Sequence, residues 1–160
     1  MNAADIIKYG HLTLMQAVDG LSEADMMTGG VCGWWSTRDI IAHIASYERM
    51  LVEVLNSFLD GGPTPTLMAM GSSPATFNDD EVNRRADMSV AEVLAEYNAT
   101  HAEALGCIAR IAPETLREVG TIPWYGADYA VDDLIVYTQY GHKREHSAQI
   151  AVFRDGLGAA

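Results

Sequence analysis

The chain carries only two cysteines, Cys32 and Cys107. They are neither clustered nor at a metal-type spacing, so neither a thiolate zinc site nor a disulfide framework organises this protein. Cys107 reads as a small core residue and Cys32 sits in a Gly-rich turn. Basic residues are scarce as well: 10 Lys and Arg stand against 22 Asp and Glu, a formal charge of −12. A surface of that sign repels phosphate backbones, which removes nucleic acid from the expected partners. No apolar run approaches the roughly 20 residues that a membrane span needs. Met1-Asn-Ala-Ala-Asp5 lacks the basic-then-apolar order of a signal peptide. The expectation is a cytoplasmic protein with no membrane partner and reduced thiols. The chain also lacks a convincing strand pattern, an internal repeat and a low-complexity tract.

What is present is apolar periodicity at helical spacing. With 160 residues, 49% of them hydrophobic, and no composition break, the chain can build one full core and is expected to be a single domain over residues 1–160. Ile7, Leu14, Val18 and Leu21 predict a first helix over residues 3–21, with His11 on its inner stripe as a core or pocket-edge histidine. Residues 22–35, with Gly29, Gly30 and Gly33, read as a connection. Ser36-Thr-Arg-Asp39 is a capping box, which gives Asp39 a structural purpose. Behind it Ile40, His43, Ile44, Tyr47, Leu51, Val54, Leu55 and Phe58 trace one face of a long second helix.

Residues 61–77 hold three of the five prolines and predict an irregular segment, apolar enough at Leu67, Met68, Met70 and Phe77 to lie over the bundle and cover a pocket mouth. Residues 78–87 read as one or two exposed, Asn-capped helical turns. A second capping box, Ser89-Val-Ala-Glu92, opens a third long helix that carries His101 near its apolar face and ends before Pro113. Residues 113–116 read as a short helical turn. Trp124, Tyr125 and Tyr129 crowd the connection at 120–129, as a pocket wall or as a core lid. The last helix spans about 131–153, with Ile135, Gln139, His142, His146, Gln149 or Ile150, and Phe153 facing inward. Four amphipathic helices without strands predict an all-α four-helix bundle.

The chemistry concentrates on the last helix. His142 and His146 leave one face a turn apart, on a line where unpaired polar groups cost roughly 1–3 kcal/mol each. His43 offers a third inward imidazole from the second helix. Neutral imidazole suits zinc, nickel, copper or iron, and three ligands leave a coordination position open for water, a thiolate or a substrate oxygen. The pair is not a peptidase helix: Lys143, not Glu, follows His142, and Glu145 reads as a surface charge beside Lys143 and Arg144. Tyr47, one turn beyond His43, is the candidate hydrogen-bonding or proton-donating group. Gln139 and Gln149 are candidate partners of the histidines.

Gly33-Trp-Trp-Ser-Thr-Arg-Asp-Ile-Ile-Ala-His43 and His142-Lys-Arg-Glu-His-Ser-Ala-Gln-Ile150 resemble, in that order and separation, the paired motifs of the DinB/YfiT-like bundles. The nearest branch in appearance is that of the ClbS/DfsB proteins and the thiol-dependent maleylpyruvate isomerases. The resemblance implies an up-up-down-down bundle with one divalent metal (Zn, Ni or Fe) on His43, His142 and His146, and no role for His11 or His101. It also implies hydrolase or thiol-dependent transferase chemistry on a small electrophilic molecule, the nucleophile being water in the first case and a low-molecular-weight thiol cofactor in the second. The isomerase branch that the chain resembles prefers a glutamate in its metal triad and an extra C-terminal domain; neither is expected here, which counts against isomerase activity. The alternative function is a binding bundle that holds a metal or ligand without turnover and associates with itself as a homodimer.

Overall fold

The computed structural model describes residues 2–157 and contains no strand among them, so the protein is all-α as the periodicity predicts. Its helices are α1 (Ala3–Val18), α2 (Glu23–Met26), α3 (Thr37–Asn56), α4 (Pro65–Ser72), α5 (Phe77–Arg84), α6 (Val90–Ile108), α7 (Pro113–Leu116), α8 (Val131–Ile135) and α9 (His142–Leu157), with a π-helical segment, Val136–Gly141, joining the last two. Among the described residues no helix is long and apolar enough to cross a membrane.

Both expected capping boxes form. The Ser36 hydroxyl accepts from the Asp39 amide while the Asp39 carboxylate accepts from the Ser36 amide, and Ser89 and Glu92 repeat the arrangement at α6. A third box, Ser22 with Asp25, builds the four-residue α2 inside the stretch expected to be a plain connection. The proline-rich segment also departs from expectation, since it holds α4. Pro65 occupies the first helical turn, where a missing N–H is no loss. The Glu53 carboxylate, reaching over from α3, accepts from the amides of Thr66 and Leu67 at 3.0 and 2.8 Å. A cap supplied by another helix leaves no local sequence signal. Residues 78–87 are likewise more buried than expected: α5 begins at Phe77 without an Asn cap, and Glu81, Val82 and Arg85 are buried.

The core divides along the bundle. One cluster joins Ile7 of α1 to Leu51 and Leu55 of α3, Ile108 of α6 and Leu134 of α8. The other joins Leu14 and Val18 to Ile40, Ile44, Val93 and Ile150. α3 packs chiefly on α6, and α1 chiefly on the π segment and α9.

The contacts fix the helix directions. Arg38, Arg49 and Asp60 meet Met88, Glu103 and Arg110, so α3 and α6 run in the same sense. Gly10 lies against Gln139 and Ala17 against Arg154, so α1 and the last helix also run together. Between the pairs the sense reverses, because His43 meets His142 and His146 while Tyr47 meets Gln139. The bundle is therefore up-down-down-up, not the up-up-down-down order expected. Residues 57–89 form the long crossover that lets α3 and α6 lie parallel.

Candidate metal centre

α3 is buried along nearly its whole circumference, so His43, 2% exposed, cannot meet solvent. The last helix brings the other two imidazoles by a less regular route. A π turn holds more residues than an α turn and keeps residues four apart in line, here Ile135, Gln139, Lys143 and Ser147, all of them buried. The histidines flank that line. His146 is buried and His142 half-buried, so His142 marks the side on which the cluster opens.

The three Nε2 atoms converge. His142 Nε2 lies 2.9 Å from His43 Nε2 and 3.0 Å from His146 Nε2. Nitrogens bonded at about 2.0–2.1 Å to one tetrahedral ion stand roughly 3.3 Å apart, so the observed spacing is near that of a ligand set. Hydrogen bonding alone cannot satisfy it. The Gln149 Oε1 accepts from His146 Nδ1 at 2.8 Å, which leaves His146 Nε2 with a bare lone pair facing the other rings. His43 Nδ1 has no partner, so nothing fixes its ring from behind. Burial lowers the pKa of all three, His43 to about 2 and His142 to about 4, with the neighbouring imidazoles adding to the effect on these two. Three neutral imidazoles with converging lone pairs fit a divalent cation.

Aromatic rings wall the cluster. Trp35 stacks at a tilt on His43 with centroids 4.9 Å apart, and Tyr47 sets its edge against His43 and His142 at 4.9 and 4.7 Å. The Tyr47 hydroxyl donates to Asn78 Oδ1 at 3.2 Å, and burial raises its pKa, so it stays protonated near neutral pH. Gln149 partners a histidine as expected. Gln139 does not: its amide donates to the Tyr47 carbonyl and ties the π segment to α3. Trp124 and the 61–77 segment border an open cleft of about 330 Å³, which the segment lines with Leu67, Met68 and Met70. Leu67, Met70, Tyr125 and Tyr47 pack on the same core cluster.

His11 and His101 stay outside the triad. They stack on one another at 4.1 Å and on Tyr97, between α1 and α6. Beside them lies a pair that the sequence reading missed. Lys143, expected at the surface, is 0% exposed and ion-paired with Glu48, also 0% exposed. One signal was available, the nearly unbroken apolar run Ile40–Ala45, which points to burial of α3 on all sides and thus of Glu48 just beyond it. Nothing local marks Lys143, because uniform α-helical spacing does not place it on the buried line.

A sequence model of the DinB superfamily matches residues 12–150. No curated protein and no solved structure matches the chain.

Proposed function

The chain belongs to the DinB superfamily, and we propose that it is a metal-dependent enzyme acting on a small electrophilic molecule, with one divalent ion held by His43, His142 and His146. The observation that carries this reading is the convergence of three Nε2 atoms within 3.0 Å steps at a cluster left open on the His142 side. A bound divalent ion would supply Lewis-acid activation of a nucleophile, either water or a low-molecular-weight thiol.

The chain's own residues do the rest. Gln149 holds His146 in the tautomer that presents Nε2, and Trp35 and Tyr47 keep bulk water from the flanks of His43. Tyr47, protonated and anchored on Asn78, is a hydrogen-bond donor at the rim and not a base. The cleft between α4 and Trp124 is apolar and of a size for the carbon skeleton of a small molecule, although none of the three histidines lines it. Hydrolysis and thiol transfer use the same open side, and both remain within the proposal.

The test has two stages. Elemental analysis of protein purified without a metal column should find about one divalent ion per chain. The metal-replete protein is then offered epoxide, cyclopropane and thiol-conjugation substrates. Absence of metal refutes the centre, whereas metal without turnover refutes the enzyme and leaves a metal- or ligand-binding bundle.

A further inference from the structure

The ligands of the triad come from two helices that lean mainly on other partners, α3 on α6 and the last helix on α1. Something must fix the register between those pairs. A slip of one residue along a helix axis is about 1.5 Å, whereas metal–ligand distances tolerate about 0.2 Å. Besides the triad, two side-chain links among the described residues join α3 to the last helix next to it. Gln139 donates to the Tyr47 carbonyl, and Lys143 pairs with Glu48. Each Lys143 and Glu48 neighbours a site residue in sequence, His142 and Tyr47, so the ion pair grips both helices at the level of the metal centre.

The surroundings of that ion pair are poorly suited to raising stability. Glu48 Oε2, the Tyr97 hydroxyl and the Nδ1 atoms of His11 and His101 are buried without hydrogen-bond partners. His101 Nδ1 stands 3.4 Å from Glu48 Oε1, too far for a well-formed bond. Buried pairs of this kind are often replaceable by apolar residues without loss of stability, and their better-attested use is to select one register. α1 is shaped to admit the same link. Gly10 sits where a Cβ would lie 1.9 Å from the Gln139 carbonyl oxygen and 3.3 Å from Lys143 Cδ, so the lysine stem runs between α1 and α3 at the π segment.

We propose that the buried Glu48–Lys143 pair is a positioning device, a pin between α3 and the last helix that holds His142 and His146 in register with His43, and that it contributes little to stability. The proposal rests on the triad being a metal centre.

The experiment removes both charges at once with Glu48→Met/Lys143→Met, which preserves approximate volume and leaves no buried polar atom of the pair unpaired. Three quantities are read: the melting temperature of the metal-free protein, the Co(II) affinity by competition titration, and the His43 Nε2 to His142 Nε2 separation in metal-free crystals. The expected result is an unchanged or higher melting temperature, a Co(II) affinity weaker by about 10–100-fold, and a histidine separation longer by roughly 1 Å. A folded double variant with wild-type affinity and wild-type separation overturns the proposal. So does a double variant that fails to fold, since the pair would then be required for stability. Glu48→Asp keeps the charge and shortens the arm, and is expected to stay folded with weakened Co(II) binding; wild-type affinity in that variant also counts against the pin. If the wild-type protein binds no Co(II), the metal centre falls, and the histidine separation in the crystals still judges the register claim by itself.

Discussion

Replacing Gly10 by Ala separates the local preference of α1 from the demands of its packing. In an isolated helix the change is favourable by about 1 kcal/mol, because glycine gives up more backbone freedom than alanine. Here the new Cβ would sit 1.9 Å from the Gln139 carbonyl oxygen and 3.0 Å from its carbonyl carbon. Both atoms are backbone, held in the π segment, and cannot rotate away. Real Cβ contacts begin above 3.0 Å, so α1 must retreat from the last helix by over an ångström. Overpacking strain of this kind costs typically 1–3 kcal/mol or more. A clash this close with rigid backbone belongs at or above the upper end of that range, so after the gain of about 1 kcal/mol the expected net loss is about 2 kcal/mol, a fall in melting temperature of roughly 4–8 °C for a chain of this size. Gly106→Ala is the control, since its Cβ meets nothing within 4 Å in the last turn of α6, and it should raise stability by up to about 1 kcal/mol. Thermal unfolding followed by circular dichroism reads both. If Gly10→Ala melts at or above the wild-type temperature, the close approach of α1 to the π segment is not a feature of the folded protein.

Alanine at His43, His142 or His146 should each lower metal occupancy by tenfold or more, read by elemental analysis, because two imidazoles do not complete a stable shell. His11→Ala and His101→Ala should leave occupancy within twofold of wild type, and equal losses in all five variants would refute the assignment. For the metal-free protein, the folded pKa values of His43 (about 2), His142 (about 4) and His11 (about 4) lie below the unfolded value of 6.5. The unfolded chain then binds protons first, so stability is fully present above about pH 6.5 and declines as pH falls from there toward 4, by at most about 1.4 kcal/mol per unit for the buried His43 and by less for the half-buried His142 and His11. A melting temperature constant between pH 7 and 5 would contradict this. Chelation of the metal-loaded protein should lower its melting temperature while far-UV circular dichroism at 25 °C stays unchanged, because two apolar clusters spanning the long helices hold the bundle together without a metal; chelator-induced unfolding would show otherwise.

The long helices were legible in the sequence because their signals are local. The apolar period of α1, α3 and α6, the serine boxes at Ser36 and Ser89, and the i, i+4 spacing of His142 and His146 all follow from geometry within one helix. The sequence also marked His43 as the third imidazole, since the helix that carries it points that ring inward wherever the helix packs. The tertiary structure decided what depends on partners far along the chain. Pro65 opens a helix because Glu53 of α3 caps it. The senses of the four main helices follow from which faces meet across the long crossover, a choice that period alone leaves open. Lys143 is buried because the π segment changes the residues per turn just before it and Glu48 stands opposite, and a charged side chain enters the interior only where its counter-charge is already in place.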